Sequence, residues 1–348
     1  MSKQVIAIIC GGPSSEHEVS CVSAGGVLKG LDRQRFEPLL VGITKSGTWV
    51  ELPIDYQLEI VNKQMPVIED NGRHIELSEA GFSIDGQLLD IDCVFPVLHG
   101  EFGEDGKIQN LLDEAEMAYV GSGVSASAQA MDKAVAKRLF ASSGMKVADG
   151  VAVNAQDWHS ATDSLSYPVF VKPASGGSSR GTHKVKSSAD LKAAIEDALS
   201  YDTKVLIETA IKGREIECAV LERDGKVEAS IVGEIIINPK FEFYDFQAKY
   251  LDDSMQLILP ANLPEEASRQ IQQAALIAFE AAGCEGLARV DFFYSSEGKV
   301  IINEINTMPG FTPMSVYPKL IENSGINYQL LITKLIQTAK NRSSSITR

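Results

Sequence analysis

The first third of the chain alternates apolar runs of strand length with segments of helical periodicity. Apolar runs occupy residues 5–10, 36–43 and 91–98, and amphipathic segments follow the first and the third of them. Strands that alternate with helices in this way are typical of a parallel sheet covered by helices. The pattern therefore predicts an open α/β domain at the N-terminus.

The pattern changes in the segment at 121–144, where small residues lead into a predicted helix. The strands "YPVFVKPA", "KVLIETAI" and "IECAVLE" follow, and the helical "SADLKAAIEDALS" separates the first two. This order of strands and helices indicates a smaller α+β unit. The last third predicts a strand "EASIVGEIII", a helix "EEASRQIQQAALIAFEAAG", a strand pair at 287–294 and 299–306, and a closing amphipathic helix "NYQLLITKLIQTAK".

The strand pair carries polar side chains at alternate positions. Arg289 and Asp291 share one face of the first strand, and Glu304 and Asn306 share one face of the second, just before Pro309. If the strands pair through the turn "SSEGK", these side chains converge. Two carboxylates and an amide oxygen suit a hard cation such as Mg²⁺, whose coordination phosphate oxygens and water complete. A solvated face with an Arg–Asp ion pair is an equally good interpretation of the strands alone.

Two glycine-containing loops are candidates for ligand binding. In "VFVKPASGGSSRG", Lys172 ends a strand and the loop amides that follow suit phosphate groups, although the spacing also fits a flexible hairpin loop. In "CGGPSSEHEVS", the dinucleotide-binding spacing is absent, and Glu16 suits a cationic group such as a substrate ammonium. Glu16 also suits a helix start as a partner of the dipole. His99 in "VLHGEFGEDG" fits either a phosphate or substrate contact or a structural role.

Charge and cysteine usage narrow the class of protein. The 32 Lys and Arg residues are outnumbered by 47 Asp and Glu residues, and the formal net charge of −15 argues against a nucleic-acid partner. The start "MSKQVIAIICGG" lacks a cleavage site, and no apolar run approaches the ~20 residues of a membrane span. We expect a soluble cytoplasmic protein without membrane contact. Its five scattered cysteines predict buried reduced thiols.

Eight motifs, in order, resemble those of D-alanine–D-alanine ligases of the ATP-grasp superfamily. They are "GGPSSEHEVS", "HGEFGEDG", "MDKAVAKRL", "VKPASGGSSRG", "GREIECAVL", "FYDFQAKY", "ARVDFF" and "NEINTMPGFTPMS". The resemblance implies three domains, at 1–124, 125–212 and 213–348, with ATP between the last two. It also implies a homodimer that joins two D-alanines through a D-alanyl phosphate, for peptidoglycan synthesis.

The resemblance also assigns roles to individual residues. The matches to the ligands of Mg²⁺ (or Mn²⁺) are Asp291, Glu304, which bridges two ions, and Asn306. The matches to the ATP site are Lys133 and Lys172 on the phosphates, Glu208 and Glu215 on the adenine amino group and the ribose, Ile211, Phe243 on the base, and Lys249 near the transferred phosphate. The matches to the substrate site are Glu16 on the first D-alanine's ammonium, its partners Ser178 and Tyr250, His99, the oxyanion donors Arg289 and the Gly310 N–H, and Ser315 on the second carboxylate.

Three alternatives remain. A D-alanine–D-lactate or D-alanine–D-serine ligase shares the metal and ATP residues, although Tyr250 favours D-alanine as second substrate. A Rossmann dehydrogenase requires the dinucleotide fingerprint that the sequence lacks. A non-catalytic nucleotide-binding module predicts the replacement of Lys172, Asp291, Glu304 or Arg289, and all four are present.

Overall fold

A computed structural model describes residues 2–162, 165–237 and 255–346 of the chain. Its N-terminal region is built on a sheet of order β3-β2-β1-β7, in which β1 runs parallel to β2 and β7, and β3 is an antiparallel edge. A small sheet of β4, β5 and β6 lies beside it. In chain order the elements are β1 (Gln4–Gly11), α1 (His17–Gly30), β2 (Phe36–Ile43), β3 (Trp49–Leu52), β4 (Glu76–Ser78), β5 (Gly81–Ile84), β6 (Gln87–Leu88), β7 (Cys93–Pro96) and α2 (Lys107–Glu114).

The middle region is a four-stranded antiparallel sheet of order β10-β9-β11-β8. Its alternating valines and isoleucines pack against α6, as Val171 and Ile195 illustrate, and this burial holds the helix on the sheet. The elements are α3 (Val124–Met131), α4 (Lys133–Ser142), β8 (Gly150–Val153), α5 (Trp158–Ala161), β9 (Val169–Pro173), β10 (His183–Val185), a 3₁₀ turn (Ser188–Asp190), α6 (Leu191–Ala198) and β11 (Val205–Thr209).

The C-terminal region is a five-stranded antiparallel sheet of order β14-β13-β12-β15-β16. One core joins this sheet to α7, and another joins α8 and α9 to β1 and α1 of the N-terminal region. The elements are β12 (Gly213–Arg223), β13 (Lys226–Ile237), β14 (Met255–Ile258), α7 (Glu265–Ala281), β15 (Leu287–Ser295), β16 (Val300–Asn306), α8 (Val316–Asn323) and α9 (Tyr328–Ile346).

The predicted open parallel sheet and the α+β remainder are confirmed, and β2 has the predicted bounds. The short strands β3 to β6, β8, β10 and β14 were not predicted, because they have at most four residues each and several are largely exposed. All five cysteines are buried free thiols, as predicted. Within the described ranges of the chain, no helix combines the length and apolarity needed to cross a bilayer.

Candidate active site

A single cavity of about 820 Å³ receives residues from all three sheet-containing regions. Every site residue predicted from sequence within the described ranges lines it. They are Glu16, His99, Lys133, Lys172, Ser178, Glu208, Ile211, Glu215, Arg289, Asp291, Glu304, Asn306, Gly310 and Ser315. The remaining three predicted residues, Phe243, Lys249 and Tyr250, lie outside the described residues. Residues from positions 16 to 315 therefore surround one space large enough for a nucleotide and a small substrate.

The acidic strand pair forms one wall of this cavity. Strands β15 and β16 pair antiparallel, with Asp291 opposite Glu304 and Arg289 opposite Asn306, and a bulge follows Asp291. The Arg289 guanidinium donates two hydrogen bonds of 2.7 Å to the Asp291 carboxylate, and Asn306 Nδ2 donates to Asp291 Oδ2 at 3.1 Å. The side chains of Arg289 and Asp291 are only 16% and 14% exposed. The Arg–Asp ion pair is thus present, and its two side chains are largely buried at the cavity wall rather than on an exposed face.

Arg289 has a second acidic partner that sequence reasoning missed. Arg289 Nε lies 2.9 Å from Glu217 Oε2, and Glu217 is buried in β12. Burial disfavours the charged form of Arg289, but Asp291 and Glu217 outweigh it and raise the arginine's pKa. An acidic side chain in the middle of the apolar run "EIECAVL" was the available signal. Arg289 therefore stays a cation at the cavity wall.

The donor set of the strand pair fits a hard divalent cation only when a ligand contributes further oxygens. Asp291 and Glu304 supply carboxylates and Asn306 an amide, with no sulfur or imidazole. Among the described residues, no group of three or more His, Cys, Asp or Glu side chains could hold a metal ion. The two carboxylates and the amide fit Mg²⁺ when phosphate oxygens complete the coordination. This chemistry ties the ion to a phosphorylated ligand.

The start of helix α4 places Lys133 at the cavity, next to the glycine loop that follows β9. The Asp132 carboxylate accepts hydrogen bonds from the N–H groups of Ala134 and Val135, which caps α4 and places Lys133 in its first turn. Lys133 Nζ donates to the Gly176 carbonyl in the loop after β9. This second contact ties the start of α4 to the glycine loop. A lysine therefore lies where the loop amides also line the cavity.

The start of α1 and the glycine loop meet at Glu16. Ser178 Oγ donates to Glu16 Oε1 at 2.5 Å, and Glu16 is 8% exposed. The Glu16 side chain makes no capping bond to α1, and Glu16 lines the cavity. A Cβ atom on Gly177 would lie 2.4 Å from Glu16 Oε2, which explains the glycine. The arrangement fits an acid that receives an ammonium group.

The N-terminal loop after β7 holds the peptide groups of Met308. His99 Nδ1 lies 3.0 Å from the Met308 carbonyl oxygen, and His99 Nε2 lies 3.0 Å from Ser23 Oγ. The Glu104 carboxylate accepts hydrogen bonds from the N–H groups of Met308, at 3.3 Å, and Gly100, at 2.7 Å. Burial lowers the pKa of His99. These bonds support the structural role for His99, one of the two roles that the sequence left open. Glu104 belongs to the same motif, but the sequence did not single it out as a site residue.

The loop that carries the Gly310 N–H is also fixed from its other end. The Ser315 hydroxyl accepts a hydrogen bond from the Thr312 N–H at 3.0 Å and lies 2.9 Å from Thr312 Oγ1. Tyr328 donates to the Phe311 carbonyl at 2.6 Å. The loop is thus braced on both sides of Gly310, so the direction of its N–H is set by the fold.

Glu104 gives a prediction about stability and pH. Burial, reinforced by the charge of Glu16, raises the pKa of Glu104 to about 8. An unfolded glutamate loses its proton near pH 4.3, about its ordinary pKa, so above that pH the folded state binds more protons and stability falls as pH rises towards 8. Between about pH 5 and pH 8, the wild type should lose up to about 4 kcal/mol more stability than Glu104→Gln.

Urea unfolding across this pH range measures the difference. Glu101→Gln is the matched control, because Glu101 belongs to the same loop but its side chain is 74% exposed. It should keep the slope of the wild type. Parallel profiles for the wild type and Glu104→Gln would show that Glu104 does not hold its proton in the folded protein.

Two antiparallel sheets around a cavity lined by lysines and carboxylates match the ATP-grasp class. Known structures agree. The D-Ala:D-Ser ligase VanG of Enterococcus faecalis superposes with a TM-score of 0.86 at 35% identity, covering 97% of this chain and 100% of that chain. The D-alanine-D-alanine ligase from Coxiella burnetii superposes with a TM-score of 0.85 at 33% identity, covering 100% of this chain and 97% of that chain.

Sequence comparisons identify the family. Residues 5–122 match the family described as D-ala D-ala ligase N-terminus, and residues 139–337 match D-ala D-ala ligase C-terminus. The D-alanine–D-alanine ligase of Arthrobacter sp. (strain FB24) is 45% identical, over 99% of this chain and 96% of the relative. That of Mycobacterium leprae (strain TN) is 45% identical, over 97% and 94%. The chain belongs to the D-alanine–D-alanine ligase family, a family of carbon–nitrogen ligases.

Proposed function

We propose that the protein uses ATP to join two D-alanines into D-alanyl-D-alanine for peptidoglycan synthesis. The observation that carries this proposal is the single cavity lined by all fourteen predicted site residues of the described ranges. Relatives named D-alanine–D-alanine ligase at 45% identity over nearly the whole chain support it. A non-catalytic nucleotide-binding module would not need the acids and the arginine that the cavity retains.

The nucleotide lies between the middle and C-terminal sheets in this proposal. Lys133 and Lys172 bind its phosphates, and Ile211, Glu208 and Glu215 bind the base and the ribose. Phe243 and Lys249 complete this set. The metal ligands are Asp291, Glu304 and Asn306. Bound Mg²⁺ or Mn²⁺ would neutralise phosphate charge during phosphoryl transfer.

The first D-alanine is bound through its ammonium group by Glu16. Ser178 already donates to that carboxylate, and Tyr250 completes the network in the proposal. A carboxylate is a poor acyl donor, so the substrate carboxylate attacks the γ-phosphorus of ATP and forms an acyl phosphate and ADP. Because acyl phosphates hydrolyse, the loop that carries Ser178 must keep water out.

The second D-alanine attacks the acyl carbon through its neutral amine. The tetrahedral oxyanion is held by Arg289 and by the Gly310 N–H, and both residues line the cavity. Ser315 receives the second carboxylate. Phosphate then leaves with the proton that the attacking nitrogen loses, and the dipeptide remains. The chain thus supplies one cation and one fixed backbone donor at the atom where negative charge develops.

The assay that tests the proposal also separates the second substrates. We expect ADP release with D-alanine alone, D-alanyl-D-alanine as the product by mass spectrometry, and little mixed product when D-lactate or D-serine is added at equal concentration. The relatives named D-alanine–D-alanine ligase, at 45% identity over nearly the whole chain, favour D-alanine. Predominance of D-alanyl-D-lactate or D-alanyl-D-serine would contradict it.

We also infer the organisation that the family implies. A division at 1–124, 125–212 and 213–348 assigns a main sheet to each of the three domains. We propose a homodimer in the cytoplasm, where ATP is available, with no nucleic-acid or membrane partner. Light scattering of the purified protein tests the oligomeric state, and a monomer at assay concentration would contradict the dimer.

A further inference from the structure

Two lysine side chains meet at one buried carboxylate. Lys137 Nζ lies 2.8 Å from Glu208 Oε2, and Lys172 Nζ pairs with Oε1 of the same side chain. Glu208 is 5% exposed and Lys137 is 7% exposed. Lys172 and Glu208 line the cavity, whereas Lys137 does not belong to its lining. Glu208 therefore has two cationic partners. A ligand in the cavity can reach Lys172, but it cannot reach Lys137.

The helix α4 places Lys137 beside Glu208. Lys137 follows Lys133 by four residues, so the two side chains lie on one face of the helix. Lys133 reaches the cavity, and Lys137 stays buried one turn further on. Burying an ammonium group is costly unless it has an anionic partner. The only ion pair of Lys137 among the described residues is with Glu208.

The two lysines have different tasks. Lys172 is the proposed partner of the nucleotide phosphates, and a lysine drawn to a phosphate weakens its bond to Glu208. Lys137 lies outside the cavity lining, so a bound ligand does not compete for it and it remains paired with Glu208. Burial would raise the pKa of Glu208, but Lys172 and Lys137 outweigh it and hold the pKa well below its usual range. Burial and the charge of Lys172 lower the pKa of Lys137.

We propose that Lys137 is a positioning residue that sets base selectivity. It holds Glu208 as a charged acceptor for the exocyclic amino group of adenine, and so disfavours a purine that carries a 6-oxo group. A 6-oxo group is a hydrogen-bond acceptor, and so is the Glu208 carboxylate. Neither group can donate to the other, so both are left without a hydrogen bond. The inference deepens the proposed function and depends on it, because Glu208 must face the base.

Calorimetric binding of ADP and IDP with Mg²⁺ tests the inference without catalysis. The wild type should prefer ADP by about 10- to 100-fold, the range for a hydrogen bond to a charged group. Lys137→Met should weaken ADP binding but leave IDP binding little changed, so that the preference falls to about threefold or less. Lys137→Arg keeps the charge and should retain most of the preference.

Phe140→Leu is the control for general loosening of α4, because Phe140 is buried in the core on the same helix. It should keep the wild-type preference. If Lys137→Met does not fold, Lys137→Gln gives the same comparison. An unchanged ADP-to-IDP ratio in either variant, or an equal loss for both nucleotides, overturns the inference while the proposed function stands. A wild type that binds neither nucleotide overturns both.

Discussion

Replacing Arg289 with alanine is expected to lower kcat by about 10²- to 10³-fold. The loss of one oxyanion donor in comparable sites costs about 2.7–4 kcal/mol of transition-state stabilisation. The variant also leaves Asp291 and Glu217 without their shared cation, and breaking a buried ion pair costs about 3–5 kcal/mol of stability. Kinetics with D-alanine and ATP measure the first effect, and urea unfolding measures the second.

The stability measurement separates catalysis from folding. The Arg289→Ala kinetics should be normalised to the folded fraction at the assay temperature. Arg289→Lys keeps a cation but loses the two-bond contact with Asp291, so it should recover more stability than activity. A folded Arg289→Ala enzyme with a kcat within about threefold of wild type would remove Arg289 from the oxyanion site.

The second large effect on turnover is expected for Glu304→Gln. The substitution keeps the shape of the side chain but removes one of the two carboxylates that face each other across β15 and β16. Metal stabilisation of a phosphoryl transition state is worth several kcal/mol, so turnover at saturating Mg²⁺ should fall about 10³-fold. Steady-state ADP release measures this loss.

The same hairpin offers a matched control. Glu297 lies in the turn between β15 and β16, and its side chain is 69% exposed beside Lys299. Glu297→Gln makes the same chemical change in the same hairpin and should leave turnover within about twofold of wild type, as surface substitutions have small effects. Full turnover in Glu304→Gln at saturating Mg²⁺ would exclude Glu304 from the metal site.

The sequence predicted the elements whose signals are local. β15 and β16 alternate apolar and polar positions around a short turn, so their pairing and the shared face of Arg289 and Asp291 could be expected before any coordinates. The same holds for β1 and β2, which are nearly continuous apolar runs. The short strand β6, two exposed residues, carries no such pattern.

The residues that sequence missed depend on partners far along the chain. Glu104 is 204 residues from Met308, whose N–H it binds. Lys137 and Glu217 are buried because Glu208 and Arg289 meet them in the fold. A charged residue in a sequence does not show whether it will be buried, since its burial requires an opposite charge that only the tertiary structure brings close.

The most direct test of the account is Mn²⁺ binding in the presence of ADP, followed by electron paramagnetic resonance in the wild type, Glu304→Gln and Glu297→Gln. We expect the wild type and Glu297→Gln to hold Mn²⁺ tightly when ADP is present, and Glu304→Gln to bind it at least about tenfold more weakly, as one anionic ligand is lost. Equal affinity in all three proteins would contradict a divalent ion held between Asp291, Glu304 and Asn306.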